Sequence, residues 1–307
     1  DLLKATMEEK NTAGFLNTLT KITNLSLTDK NEMLFDSVAW QTGKLLMAVE
    51  RFANQGLDLG FQNIRYFNFT KPGDAYSFLL KSFKKHGEQW PFFPDFIFWW
   101  GIGNLNDKDF EIYKTPDGKK IPSLAESVCI TLSKNLLKEP IDHHKIREHI
   151  GFAAELSEKR KEMQYPPYYY AKLLLALGEK GNFVKAFMPF VRRKSKDFWV
   201  WDLLSEGLSD DNESYRACLC KSLLCGAPDK FTINVREKLA LEMLRMQKFR
   251  EARYELETII QCREKEGWGL TIKHRNWQNF DWWNQHQPAK NNNAFYKIYA
   301  PKAENLL

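Results

Sequence analysis

The sequence predicts an all-α fold in which antiparallel helix pairs stack into an α-solenoid. Apolar residues recur at every third or fourth position over most of the chain, which is the period of a helix with one buried face. In the C-terminal half these segments come in pairs that repeat at a nearly constant interval. No strands alternate with crossover helices, so a Rossmann or barrel enzyme is not expected. The chain has 307 residues, of which 43% are hydrophobic, and this composition excludes global disorder.

Residues 1–120 are expected to form an N-terminal helical region without a readable repeat. Asp29 and Glu32 match a capping box, and an apolar stripe over residues 34–52 follows them. The sequence leaves room for one short β-hairpin near residues 110–121, where turn-forming residues separate two short segments.

Residues 121–266 are expected to form the helical repeats. From residue 166 onward, the second helix of each pair carries a small residue early, at Ala186, Ala217 and Ala252. The first two are 31 residues apart and the last two are 35 residues apart. A small side chain there lets two helices approach closely. Because one pair cannot bury both of its faces, the pairs are expected to stack.

This pattern resembles the tetratricopeptide-repeat family, most clearly over residues 166–266. Arg236 departs from it, because a large apolar residue is usual at that position, and Pro189 should kink the helix that contains it. The resemblance implies that the first helix of each pair lines a concave face. It also implies a non-enzymatic scaffold that binds an unknown protein or peptide partner. The positions that the repeat register assigns to this face are Tyr168, Trp199, Asp202, Glu206, Asn234, Glu237 and Arg245.

A second resemblance rests on motifs rich in aromatic residues. They are Phe93-Pro94-Asp95-Phe96, Trp99-Trp100, Ser123–Glu126, Tyr165–Leu177 and Asp197–Trp201. These motifs are similar to an uncharacterised bacterial family in which a repeat-like helical region precedes a small β-domain of OB or cold-shock type. Members of that family occur in gene neighbourhoods attributed to biological conflict or phage defence. The resemblance implies an alternative function, a nucleic-acid-binding accessory factor of a defence system. It also implies that the chain is a fragment whose β-domain would begin near residue 304.

Residues 267–307 form a C-terminal extension in which aromatic residues are set among Asn, Gln and Lys. We expect these rings to pack along the last repeats as a cap. The alternative is a segment that occupies the groove of the solenoid or stacks on nucleic-acid bases.

The densest basic run lies between the first two predicted repeats and comprises Arg192, Arg193, Lys194 and Lys196. One interpretation is a solvated helix end, since cations near a helix C-terminus are favoured by the macrodipole. The other is a set of phosphate contacts. The net charge of +6 permits a nucleic-acid partner without requiring one.

The remaining reactive side chains match no known catalytic or metal-binding pattern. Cys218, Cys220 and Cys225 lack the paired spacing of zinc sites, so buried core thiols are expected. The three histidines between residues 143 and 149 are expected on the surface. No phosphate-binding loop and no nucleophile motif is present. We therefore expect no catalytic residue, no metal and no cofactor. Five unevenly spaced cysteines and the lack of a long apolar segment favour a cytoplasmic protein without a membrane span.

Overall fold

The computed structural model describes residues 1–25, 31–118 and 120–307. This part of the chain folds into seventeen α-helices and one pair of short strands, which confirms the predicted all-α fold of helix pairs. None of these described helices is long and apolar enough to cross a lipid bilayer. The chain divides into two compact units, Asp1–Leu177 and Gly178–Leu307. The boundaries at residues 120 and 266 are drawn from the repeat pattern of the sequence and not from compactness. They stay a prediction.

The first unit contains nine helices within its described residues. They are α1 (Leu2–Glu8), α2 (Thr12–Thr23), α3 (Glu32–Ala48), α4 (Asn54–Ile64), α5 (Asp74–Gly87), α6 (Phe93–Trp100), α7 (Leu124–Leu136), α8 (His143–Lys159) and α9 (Pro166–Ala176). Helix α3 packs on α5, and α5, α7 and α9 contact one another in that order. Helix α6 contacts both α5 and α7, and α8 contacts both α7 and α9. Asp29, which we expected to cap α3, lies outside the described residues.

Aromatic residues of α6 form the centre of the first unit. Phe96 and Trp100 are fully buried. Trp100 stacks on Tyr76 of α5 with ring centroids 4.6 Å apart, and Phe96 stacks on Phe83 at 4.5 Å. Pro94 fits at the start of α6, because the first N–H groups of a helix have no intrahelical acceptor. The motif behind the second resemblance is thus part of a hydrophobic core.

The predicted hairpin near residues 110–121 is present and very short. Strands β1 (Tyr113–Lys114) and β2 (Lys120–Ile121) pair antiparallel. Both strands are exposed. Lys119, which precedes β2, lies outside the described residues.

The second unit consists of helix α10, two helix pairs and the C-terminal extension. Its helices are α10 (Lys180–Arg193), α11 (Phe198–Gly207), α12 (Asn212–Leu224), α13 (Asp229–Arg245), α14 (Phe249–Lys265), α15 (Ile272–Trp277), α16 (Asp281–Gln285) and α17 (Asn293–Glu304). Helix α11 pairs with α12 and α13 pairs with α14, while α12 also packs on α13. Ala217 and Ala252 lie early in α12 and α14 and are fully buried, as a close helix approach requires. Ala186 of α10 is half-buried, and α10 continues through Pro189.

The C-terminal extension forms a further layer on the second helices of these pairs. Helix α17 packs along α12 through the buried residues Phe295, Tyr296 and Ala300. Helices α15 and α16 pack on α14 through Trp277 and Trp283. Four consecutive residues of α12, 217–220, are buried, so this helix has apolar contacts all round. Trp277, Trp283, Phe295 and Tyr296 therefore pack along the helix pairs, as in the first of the two arrangements considered above, whereas Trp268 and Phe280 are exposed.

Candidate interaction face

Charged side chains of the first helices α11 and α13 meet on one face of the second unit. The Lys238 ammonium lies 2.8 Å from Asp202 Oδ1 and 2.8 Å from Glu206 Oε1. Asp202 and Glu206 were both assigned to the face from the sequence, and they are one turn apart on α11. Burial alone would lower the pKa of Lys238, but the two carboxylates raise it above its ordinary value. The result is a fixed, mixed-charge cluster that joins the two helix pairs.

Lys238 was missed by the sequence analysis, although a signal for it exists. It lies four residues after Asn234, so it shares a helix face with a position that the repeat register had selected. A register identifies faces but does not state which side chains meet across them. Asn234 itself is exposed.

A second group of charges lies one turn further along α13. Glu242 is only 2% exposed and is contacted by the Arg245 guanidinium, itself exposed, from the same helix. Arg216 Nη2 of α12 lies 3.9 Å from Glu242 Oε2. Burial raises the pKa of the nearby Tyr215 hydroxyl, and Glu242 raises it further. Arg245, a predicted face residue, therefore neutralises a buried acid of its own helix.

Glu237 links the face to the C-terminal extension. Its carboxylate contacts the Lys273 ammonium of α15. Because Lys273 reaches the first helix α13, the extension borders the candidate face at this point, while α17 packs on the second helix α12. The helices of the extension thus pack mainly on the second helices α12 and α14.

The two predicted aromatic positions have different surroundings. Trp199 of α11 is half-buried, with its ring 5.8 Å from that of Phe190. Trp201 is fully buried, and its indole N–H donates to the Ser195 carbonyl at 2.8 Å. Trp199 is therefore the more accessible of the two, in agreement with the predicted register. Tyr168 belongs to α9 of the first unit, whereas the other six residues belong to the second unit.

The basic run begins in the last turn of α10. Arg192 Nε donates to the Leu307 carbonyl at 2.6 Å, and Lys194 lies 3.8 Å from the Asp197 carboxylate. The Arg193 guanidinium lies 5.8 Å from the centroid of a phenylalanine ring one turn earlier. Lys196 is exposed. Two of the four cations thus have acceptors within the second unit, which weakens the interpretation of the run as a phosphate site.

A buried ionic network explains why Arg236 departs from the repeat pattern. Its Nη1 donates to Glu255 Oε2 at 2.6 Å, and its Nη2 donates to Asp229 Oδ1 at 2.7 Å. Glu255 is fully buried and also accepts from Asn292 Nδ2 at 2.6 Å and from the Tyr296 hydroxyl. Burial lowers the pKa of Arg236, but Glu255, Tyr296 and Asp229 together raise it above its ordinary value, so the guanidinium stays charged. The network ties α13 and α14 to the start of α17.

The cysteines of α12 lie mostly in the core. Cys218 and Cys220 are fully buried, and burial raises the pKa of the Cys218 thiol to about 12. Cys225 is only half-buried, because it follows the last turn of α12, and it departs from the expected buried thiol. The described residues contain no group of three or more His, Cys, Asp or Glu side chains that could hold a metal ion.

The expectation of surface histidines is wrong for His149. It is 7% exposed, because it shares the buried face of α8 with Ile146 and Ala153. Burial lowers its pKa below the ordinary value. His143 and His144, in the first turn of the same helix, are exposed as expected.

These features define an all-α protein of helix pairs whose first-helix face in the second unit carries charges of both signs. Residues 164–303 match the model of a domain of unknown function, DUF7017. No curated protein matches the chain. The matched region runs from the start of α9 into α17, so it includes most of the aromatic extension together with the repeats.

Proposed function

We propose that the chain is a non-enzymatic interaction scaffold of the tetratricopeptide-repeat type, and that the face of α11 and α13 binds a peptide or a helix of a partner protein. The carrying observation is the bridge from Lys238 to Asp202 and Glu206. Trp199 precedes Asp202 by three residues and therefore shares its face of α11. The half-buried Trp199 ring supplies contact area, and the ion-paired side chains beside it fix the orientation of a bound segment.

The proposed location is the cytoplasm. All five cysteines are free thiols, and an unpaired set of this kind is typical of a reducing compartment.

The alternative, a nucleic-acid-binding accessory factor of a bacterial defence system, is less well supported in the second unit. It would use Arg192, Arg193, Lys194 and Lys196. The contacts of Arg192 with the Leu307 carbonyl and of Lys194 with Asp197 argue against it. Acids also alternate with bases along α13.

The test is affinity capture of the tagged chain from extract of its own cells, with and without nuclease treatment, followed by mass spectrometry. The double variant Asp202→Lys, Glu206→Lys reverses the charge of the face. The control Glu251→Lys, Glu264→Lys makes the same charge change on α14. We expect the first variant to lose defined, nuclease-resistant partners and the control to keep them.

Two outcomes would contradict the proposal. One is a partner set that both double variants retain equally. The other is a set of partners that disappears with nuclease. Circular dichroism of each variant confirms that the helices remain folded.

A further inference from the structure

Three lysines of α5 and α7 lie close together in the first unit, and we call them the lysine cluster: Lys81, Lys84 and Lys134. Lys81 and Lys84 are one turn apart on α5. Lys134 of α7 lies 3.0 Å from Glu88 Oε2. Within the described chain, Glu88 is the one carboxylate that pairs with a member of the cluster. Lys138 also contacts the backbone carbonyl of Glu88.

Among the described residues, Glu88 neutralises only part of the positive charge of the cluster. Lys84 is half-buried and has no carboxylate partner among the described residues. Burial lowers its pKa, and the neighbouring ammonium groups of Lys81 and Lys134 lower it further. Lys85 differs, because its ammonium donates to the carbonyls of Met47 and Val49 at 2.8 and 2.9 Å. Lys85 thus caps carbonyl groups at the C-terminus of α3. The lysines of the cluster, in contrast, can bind an anionic ligand.

Two tyrosines lie on helix α9, which packs on α7. Tyr169 is buried, and burial raises the pKa of its hydroxyl to about 12, with smaller contributions from Tyr168 and Glu88. The ring of Tyr168 packs edge-on against Tyr169 with centroids 5.2 Å apart. The Lys172 ammonium lies 5.5 Å from the Tyr168 ring centroid. Cations and an aromatic ring therefore lie on the neighbouring helices α5, α7 and α9 of one unit.

We propose that the lysine cluster and Tyr168 form a binding surface for single-stranded nucleic acid, in which the lysines contact phosphates and Tyr168 stacks on a base. Cationic grooves with aromatic rings bind single strands in this way. An acidic peptide fits less well, because bidentate recognition of carboxylates uses arginine and the cluster contains only lysines. The surface lies in the first unit and is independent of the peptide site proposed on α11 and α13.

The experiment measures binding of labelled single-stranded RNA and DNA to the full chain by fluorescence anisotropy, over about 50 to 200 mM salt. One variant removes the cluster, and a control removes the same charge from three exposed lysines that each pair with an acid elsewhere in the first unit. The cluster variant is Lys81→Ala, Lys84→Ala, Lys134→Ala, and the control is Lys4→Ala, Lys108→Ala, Lys159→Ala.

We expect the cluster variant to bind single-stranded nucleic acid at least about tenfold more weakly. The slope of log affinity against log salt should become shallower by about 2, because each of the three lost phosphate contacts contributes roughly 0.7 to the slope on a single strand. The control should keep the slope. A further variant, Glu88→Gln, removes the competing carboxylate and should strengthen binding about two- to fivefold. Because this variant gains affinity, loss of folding cannot explain its effect.

Several results would overturn the proposal. They are an absence of binding to both RNA and DNA, equal weakening by the two triple variants, or no gain with Glu88→Gln. Poly-glutamate serves as the competing ligand class. If it binds through the lysine cluster while RNA and DNA do not, the surface recognises acidic proteins and the proposal is wrong.

Discussion

Replacing Glu255 by alanine should destabilise the second unit more than any loss of a surface ion pair. Glu255 is fully buried and accepts hydrogen bonds from Arg236, Asn292 and Tyr296. Glu255→Ala leaves the guanidinium, which is 13% exposed, with only the half-exposed Asp229 as a charged partner. Breaking a buried ion pair in this way costs about 3–5 kcal/mol. The affected elements are α13, α14 and α17.

Hydrogen–deuterium exchange read peptide by peptide is the suitable assay, because a chain with two compact units need not unfold in one step. At about 1.4 kcal/mol for each factor of ten, the expected cost corresponds to a roughly 100- to 5000-fold loss of protection in α14 and α17. Peptides from the first unit serve as the internal reference and should change little.

The matched control is Glu257→Ala on the same helix. Glu257 pairs with Arg253 at 2.7 Å but is partly exposed, so its loss should cost less than about 1 kcal/mol. If Glu255→Ala reduces protection by less than about tenfold, or no more than Glu257→Ala does, the network does not hold the extension in place and the argument fails.

Two other perturbations test the packing and the buried histidine. Gly207→Ala places a methyl group against the Phe183 ring and should lower the free energy of unfolding by about 1–3 kcal/mol, measured by thermal melting. The control Gly181→Ala, whose added methyl group would meet no neighbouring group within 4 Å, should be neutral or slightly stabilising. Equal melting temperatures of the two variants would contradict this expectation. Because burial lowers the pKa of His149 in the folded chain, the unfolded chain takes up the proton first, and stability should fall as the pH drops below about 6.5. His149→Gln should flatten that pH dependence between about pH 7 and 5, and unchanged curves would show that another group is responsible.

The helical fold and the repeats of the second unit could be predicted because they depend on local periodicity. Ala217 and Ala252 lie where a close helix approach is needed, and that requirement leaves a regular sequence signal. The row of α5, α7 and α9 could not be predicted in the same way. Large rings of α6, such as Trp100 and Phe96, pack on α5, and their irregular spacing leaves no periodic signal in the sequence.

The candidate face could be predicted only in part. The register placed Asp202 and Glu206 on one face of α11 and favoured Trp199 over Trp201 as the accessible ring. It could not show that Lys238 joins the two acids, because pairing across helices depends on side-chain reach. Arg236 did carry a signal, since a charged residue at an apolar repeat position requires a buried counter-charge, but nothing in the sequence of α14 distinguishes Glu255 from its charged neighbours.

The position of α17 against α12 has a consequence for how the second unit is made. The two helices are about seventy residues apart in sequence, so their contact is a long-range one that raises the contact order of the unit. During synthesis, α12 leaves the ribosome well before α17 exists, and its apolar outer surface stays open to water or to a chaperone for that interval. A fragment that stops at residue 266 keeps the repeat pattern yet exposes Leu219 and Cys220, which pack in the same cluster as α17. The smallest fragment of this unit that can bury its own hydrophobic core therefore extends through α17, well beyond the last recognisable repeat.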